Sequence, residues 1–136
     1  MRIAIDTNVL ISAIIKPQNR IGLVMVHLRK GAYVLLYSDE LIDELTEVMA
    51  RPKLKKYGLN EETANAVIGS IIAKGESVKL VTVVDICRDP DDNLLLSLAV
   101  DGKADYVVSG DKDLLDLIHI QNIPIIKPAD FLDSFE

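Results

Sequence analysis

Short apolar runs and longer segments of helical periodicity alternate along the chain. A short apolar run is typical of a strand buried on both faces of a parallel sheet, whereas apolar residues spaced three and four apart indicate a helix. The predicted strands cover residues 2–5, 33–37, 78–84, 105–111 and 123–128. The predicted helices cover residues 9–30 with a break near Pro17, 38–50, 61–74, 90–101, 112–118 and 129–135. This alternation predicts an α/β protein, a three-layer α/β/α domain with a mostly parallel central sheet of about five strands, in which residues 1–136 form a single domain.

Capping residues support the predicted helix starts. Ser38 and Asn60 each stand directly before a helical segment, and both residue types are favoured at the N-cap. Asp89 is followed by Pro90 in the first helical position, so Asp89 is interpreted as a cap rather than as a ligand. Asn19 is the expected cap after the break in the first helical segment.

Acidic residues follow the predicted strands. Asp6 ends the first strand and Asp111 ends the fourth, while the segments 38–45 and 89–93 open helices after the second and third strands. In an open parallel sheet, ligands bind in the crevice outside the carboxyl ends of the strands. The sequence therefore predicts that acids from all four strand ends meet at one rim.

Helical periodicity narrows the acids of the segment 38–45. Glu44 lies between Leu41, Leu45 and Val48, which mark the apolar stripe of this helix, so its side chain is expected near the core. The other acids of the helix are expected further round, toward solvent: Glu40, Asp43 and Glu47.

The doublet Asp91–Asp92 is not resolved by periodicity. Each of the two acids shares a face with apolar residues of the following helix, because that helix is apolar nearly all round. Asp92 also has a purely structural interpretation, as the partner of Asp89 in a capping box.

The composition of the chain bears on what these acids bind. The chain has 21 acidic and 15 basic residues, a net charge of −6, which argues against broad binding of nucleic acid through a basic face. Carboxylates that converge in one cleft repel each other and raise one another's pKa unless a cation joins them. Mg²⁺ or Mn²⁺ is the expected partner, since both prefer oxygen ligands. Such sites hydrolyse phosphodiesters without a Ser, Cys or His nucleophile, which suits a chain with only two histidines, His27 and His119, both away from the predicted strand ends.

The remaining features concern location and assembly. A single cysteine, Cys87, cannot form an internal disulfide, and no apolar run reaches the length of a membrane span. With no secretory pattern at the N-terminus, a cytoplasmic protein is expected. The chain is 49% hydrophobic, which is high for so few residues and predicts a homodimer.

Four motifs in a fixed order carry a family resemblance: "IDTNVLISA", "SDELIDELTEVMARPKL", "RDPDDNLLLSLAVDGKADYVVSGDKDLL" and "IPIIKPADFL". With them the sequence resembles the PIN-domain ribonucleases, and among these the VapC-type toxins of toxin–antitoxin pairs. The resemblance implies a PIN-like fold and a Mg²⁺- or Mn²⁺-dependent endoribonuclease. It also implies that RNA is the substrate and that a cognate antitoxin protein holds the enzyme inactive.

The resemblance also assigns site residues. The four acids that it implies to be metal-binding and catalytic are Asp6, Glu44, Asp92 and Asp111. Asp113 is implied to be an accessory metal ligand, and Asn8 and Ser109 are implied to support the site. Asp91 stays the alternative to Asp92.

Several alternatives stay open on the sequence. The basic cluster Arg51, Lys53, Lys55 and Lys56 is interpreted either as a contact for RNA phosphates or as a solvated connection. A catalytically silent PIN-fold scaffold for protein binding is a second function, although retention of all four acids argues against it. A receiver-like phosphotransfer domain is a third, for which Lys127 follows the last strand but no "DxxMP"-like acceptor exists.

Overall fold

A computed structural model describes residues 1–136. The strands are β1 (Arg2–Ile5), β2 (Val34–Tyr37), β3 (Gly75–Ser77), β4 (Tyr106–Val108), β5 (His119–Ile120) and β6 (Ile123–Ile126). The helices are α1 (Thr7–Ile15), α2 (Leu23–Arg29), α3 (Asp39–Met49), α4 (Glu61–Lys74), α5 (Pro90–Asp101), α6 (Lys112–Leu115) and α7 (Pro128–Asp133). Two 3₁₀ helices, Arg20–Gly22 and Pro52–Tyr57, complete the elements.

The six strands form one sheet in the order β3-β2-β1-β4-β6-β5. All pairs are parallel except β5 with β6, and β1 is central, with Ile3 between Leu35 of β2 and Tyr106 of β4. The predicted α/β class and the mostly parallel sheet are confirmed. Since the strand order changes direction around β1, the ends of β1 and β4 lie side by side at a crevice of the kind that binds ligands.

Successive residues of β1 belong to two different hydrophobic cores. Ile3 and Ile5 pack with α1, α2, α4 and α7, whereas Ala4 packs with α5 and α6 on the opposite face of the sheet. This is the alternation that a strand buried on both faces requires. Helices therefore cover the sheet on both sides, which gives the three layers that the sequence predicted.

The prediction of a strand at residues 78–84 was wrong. The edge strand β3 comes earlier, and the residues after Ser77 run without strand pairing to the start of α5. The backbone N–H groups of Val81 and Thr82 donate to the carboxylate of Asp101 in α5, at 2.7 and 2.9 Å, instead of to a neighbouring strand. The sheet still has one strand more than expected, because the two-residue β5 adds an antiparallel edge.

The predicted caps mostly hold. The hydroxyl of Ser38 accepts a hydrogen bond from Leu41 N at 3.2 Å, and Asn60 Oδ1 accepts one from Thr63 N at 2.8 Å. The prediction that Asn19 caps the next helix was wrong, since its side chain makes no capping hydrogen bond to the 3₁₀ turn that follows it.

No single helix has the length and apolarity needed to cross a membrane. Only the bent pair Thr7–Ile15 and Arg20–Arg29, whose axes differ by 111°, meets the requirement of length and composition when the two are counted together.

Candidate active site

Asp6 lies at the junction between the central strand β1 and α1. Its backbone N–H donates to Val108 O of β4 at 2.9 Å, so the end of the strand ladder fixes its position. Its carboxylate caps α1, because Oδ1 accepts a hydrogen bond from Asn8 N at 3.0 Å. Burial raises the pKa of this carboxyl above its ordinary value, although the hydrogen bonds from Asn8 and Ser109 oppose that shift. The acid therefore caps a helix and also lines the cleft.

Ser109 joins the two acids that end β1 and β4. Its hydroxyl donates to Asp6 Oδ2 at 2.8 Å and accepts a hydrogen bond from Asp111 N at 3.0 Å, and the residue is fully buried. Asp111 in turn caps α6 by accepting from Asp113 N at 2.8 Å. One hydroxyl thus holds both carboxylate-bearing loops in a fixed relation.

Glu44 reaches the same cleft from α3. Its carboxyl is half-buried, and this burial, together with the nearby charges of Asp91, Asp6 and Asp89, raises its pKa to about 7, against a partial offset from Thr7. A carboxyl with such a pKa is half-protonated near neutral pH unless a cation is present.

Asp92 and Asp91 occupy different environments. Asp92 is only 9% exposed, and its carboxylate accepts no hydrogen bond from the chain. Burial and the charges of Asp111 and Asp6 raise its pKa to about 6. Asp91 is exposed, and its backbone N–H donates to the capping carboxylate of Asp89 at 2.9 Å. The capping box between Asp89 and Asp92 does not form, which leaves the buried carboxylate of Asp92 free for another partner.

The acidic side chains described above line one cleft of about 240 Å³. Its acidic lining residues are Asp6, Glu40, Glu44, Glu47, Asp89, Asp91, Asp92 and Asp111. Arg51 is the only cation of the lining, and its guanidinium is 3.6 Å from Glu47. Glu40 and Glu47 are exposed, as expected, and they also line this cleft, because the start of α5 stands across from α3 and turns this flank of the helix into a cleft wall.

The supporting residues are placed less uniformly. Asn8 lines the cleft, whereas Asp113 lies outside it and forms an exposed ion pair with Arg88 at 2.7 Å. The three lysines at 53, 55 and 56 are exposed on the 3₁₀ helix Pro52–Tyr57 and do not line the cleft either. Within the basic cluster the fold brings Arg51 alone to the acids.

The donor set suits a hard divalent cation. All candidate ligands are carboxylates, and the fold holds several of them in partly buried positions where their charges oppose one another. No three acidic, histidine or cysteine side chains stand close enough together to hold one ion between them. This agrees with Mg²⁺, which usually takes one or two carboxylates from the protein and keeps several water molecules.

The raised pKa values predict that the metal-free protein loses stability as pH rises. Between the ordinary value of Glu44 and its folded value of about 7, the folded state binds more protons than the unfolded state, so the free energy of unfolding falls with increasing pH. We expect the melting temperature measured in chelator to fall between pH 5 and pH 8. Glu44→Gln should flatten this dependence. An equal slope in the variant would contradict the assignment of the effect to this carboxyl.

Comparison with known proteins adds one relative by sequence and one protein of similar fold. MJ1680, an uncharacterized protein of Methanocaldococcus jannaschii, is 31% identical over an alignment of 144 residues. The alignment covers 100% of this chain and 92% of the relative. The fold is similar to a chain in the crystal structure of VapBC2 from Rickettsia felis bound to a DNA fragment from the VapBC2 promoter. The TM-score is 0.62 at 16% identity, and the match covers 93% of this chain and 98% of that chain.

A sequence profile of the PIN domain matches residues 2–113, which include every acid of the cleft. The match extends from β1 to α6 and so contains the strand ends that carry Asp6 and Asp111. The chain therefore belongs to the PIN domain family.

Proposed function

We propose that the protein is a Mg²⁺- or Mn²⁺-dependent endoribonuclease and the toxin of a type II toxin–antitoxin pair. The observation that carries this proposal is the cleft itself, whose lining has eight acidic residues and one basic residue, Arg51, and neither histidine nor cysteine. Membership of the PIN domain family supports a hydrolase that acts on nucleic acid.

In this proposal the carboxylates divide the work. One or two of the carboxylates Asp6, Asp92 and Asp111 bind the cation directly. The others, with Glu44 on α3, hold it through the water molecules that it keeps. The bound ion supplies Lewis acidity for hydrolysis of a phosphodiester. Ser109 and Asn8 position Asp6, the first through its hydroxyl and the second through its backbone N–H. Asp113 acts from outside the cleft, where it adds to the negative potential at Asp92.

The substrate contacts follow from the distribution of positive charge. Arg51 stands at the wall of the cleft, and Lys53, Lys55 and Lys56 continue the positive charge along the adjoining 3₁₀ helix without forming an ion pair. Phosphates on either side of the cleaved bond need such cations, since the acidic cleft repels the RNA backbone. We infer that these lysines hold the RNA chain outside the site of cleavage.

An antitoxin is the expected partner. The similar Rickettsia felis chain belongs to VapBC2, which was crystallised with promoter DNA, and this likeness supports a partner protein for the present chain as well. An arginine from the partner fits the acidic cleft, because a planar guanidinium pairs with two carboxylates at once. It would occupy the place of the cation and stop cleavage.

The test is expression of the chain with and without the small open reading frame next to its gene. We expect the chain alone to arrest growth and the purified protein to cleave single-stranded RNA, and we expect the neighbouring product to suppress both effects. Asp111→Asn is the matched control, since it keeps the shape of the side chain. A stable protein that cleaves no RNA and binds the neighbour would point instead to the silent scaffold, and suppression by no neighbour would remove the toxin assignment alone.

A further inference from the structure

A second cleft, of about 670 Å³, adjoins the acidic one. The two clefts share Asp6 and Asp111, so they meet where β1 and β4 end. The rest of the second cleft is formed by α1, the 3₁₀ helix Arg20–Gly22 and the start of α7. It is here called the α1 cleft, and its polar lining residues beyond the two shared acids are Asn8, Ser12, Lys16, Asn19 and Arg20.

The two clefts differ in charge. The acidic cleft has eight acids and one cation, whereas the α1 cleft has only the two shared acids and two cations, Lys16 and Arg20. Arg20 is already paired with Asp133 and Glu136, at 2.5 and 2.9 Å. Lys16 is exposed and takes part in none of the ion pairs. Lys16 is therefore the uncompensated positive charge of the α1 cleft.

The polar residues of α1 form a stripe along this cleft. Asn8, Ser12 and the C-cap Lys16 recur every four positions, which places them on one side of the helix. Thr7 is the only other polar residue of α1, and it is buried. An otherwise apolar helix thus presents its exposed polar groups to the α1 cleft.

The polar side chains of the α1 cleft are unengaged within the chain. Asn8 and Lys16 make hydrogen bonds through their backbone N–H groups only, and the side chains of Ser12 and Asn19 make none. Amide and hydroxyl groups both donate and accept, so these residues suit a ligand with polar edges of both kinds. Apolar side chains complete the lining: Val9, Ile21 and Pro128.

A single strand of RNA has the chemistry that this lining fits. Its phosphates suit the lysine, its 2′-hydroxyls and base edges suit the amides and the hydroxyl, and its base faces suit the apolar residues. Lys16 lies eight residues along α1 from Asn8, or about 12 Å at the rise of a helix. Its ammonium group therefore suits a phosphate next to the one at the cation rather than that phosphate itself.

We propose that the α1 cleft binds the RNA nucleotide next to the scissile phosphate, with Lys16 on the phosphate beyond it. Asn8, Ser12 and Asn19 contact the sugar and base of that nucleotide. This binding site rests on the proposed ribonuclease activity, for which it supplies one side of the substrate path. The strand crosses the shared acids and continues toward the lysines at 53, 55 and 56, so positive charge holds it on both sides of a centre that repels phosphate.

Lys16→Ala tests the α1 cleft, and Lys30→Ala is its matched control. Both lysines are exposed C-cap residues without an ion pair, but Lys30 lines neither cleft. We expect Lys16→Ala to raise KM for a labelled single-stranded RNA roughly tenfold, the effect of one lost charge-assisted contact, and to lower kcat less. Lys30→Ala should have the KM of the wild-type protein.

Binding without cleavage separates the α1 cleft from the nuclease. Asp92→Asn is the cleavage-deficient background, because Asp92 lines the acidic cleft only. The probe is a fluorescein-labelled oligouridine, followed by anisotropy at several KCl concentrations. Adding Lys16→Ala should weaken binding and lower the slope of log Kd against log salt concentration by about 0.7, the value for one phosphate of a single strand. Ser12→Leu should also weaken binding, because the larger side chain occupies the cleft.

The outcomes distinguish this binding site from the proposed function. Equal KM, Kd and salt slope in Lys16→Ala and Lys30→Ala would overturn the α1 cleft as an RNA site and leave the ribonuclease intact. A protein that cleaves no RNA, but loses oligouridine affinity in Lys16→Ala, would overturn the ribonuclease and keep the cleft as an RNA-binding surface. If Lys16→Ala weakened binding of the neighbouring gene's product alone, the cleft would belong to the partner protein and the proposal would be wrong.

Discussion

Asp6→Asn should reduce RNA cleavage by at least about 100-fold, since even the loss of an outer partner of a metal ligand costs roughly 10- to 100-fold. The amide keeps the size of the carboxylate and one acceptor oxygen, enough for the bond from Asn8 N or from Ser109 but not for both, and it removes the negative charge from the junction of β1 and α1. The measurement is initial cleavage of a labelled single-stranded RNA in saturating Mg²⁺.

Stability separates this expectation from a structural role. Burial raises the pKa of Asp6, so the ionised carboxylate opposes folding of the metal-free protein and the neutral variant should melt at the same temperature or higher. Asp39→Asn is the matched control, because Asp39 is an exposed acid at the start of α3 that does not line the cleft. An unfolded Asp6→Asn protein, or equal losses of activity in both variants, would assign Asp6 to the fold alone.

The same assay resolves the doublet at the start of α5. Asp92→Asn should cost more activity than Asp91→Asn, because Asp92 is buried with no hydrogen-bond partner whereas Asp91 is exposed. A larger loss of activity in Asp91→Asn would instead assign the metal-binding role to Asp91.

Excess EDTA should abolish cleavage, and added Mg²⁺ or Mn²⁺ should restore it. Hydrolysis in this cleft has no lining histidine or cysteine to replace the cation, so the loss should reach the detection limit of the assay. Binding should also raise the melting temperature of the wild-type protein, since a cation at 100 times its dissociation constant adds about 2.7 kcal/mol to the free energy of unfolding.

Calorimetry in both metal states provides the control. Asp6→Asn should gain less stability from Mg²⁺ than the wild-type protein, because one ligand charge is missing. Full cleavage in chelator would remove the metal mechanism, and an equal thermal shift in the two proteins would place the ion elsewhere on the chain.

The positions of Asp6 and Asp111 could be predicted because a local rule determines them. Each acid directly follows a buried strand, and the carboxyl ends of neighbouring parallel strands lie at one edge of the sheet whatever the rest of the chain does. Glu44 was reached by helical periodicity for the same reason, since its place beside the apolar stripe depends on α3 alone.

The failures arose where a distant residue decides the outcome. Residues 78–84 have the alternation of a strand, yet two of their N–H groups bind Asp101, which lies about 20 residues further along the chain. Glu40 and Glu47 are solvent-facing residues of α3, as expected, but the sequence does not show that the position of α5 across the cleft makes them lining residues. The pattern of neighbouring residues contains neither the bond to Asp101 nor the position of α5.

The bond between Ser109 and Asp6 joins residues 103 positions apart, and this separation has a consequence during synthesis. A ribosome adds residues one at a time, so the first acid emerges long before Ser109 and Asp111 exist. The central pairing of β1 with β4 also forms late, because residues so far apart in the sequence make contact only after the intervening chain has been synthesised. A nascent chain therefore has no complete cleft, and the translating ribosome that makes this protein is not exposed to its assembled acidic site until the last part of the chain has been made.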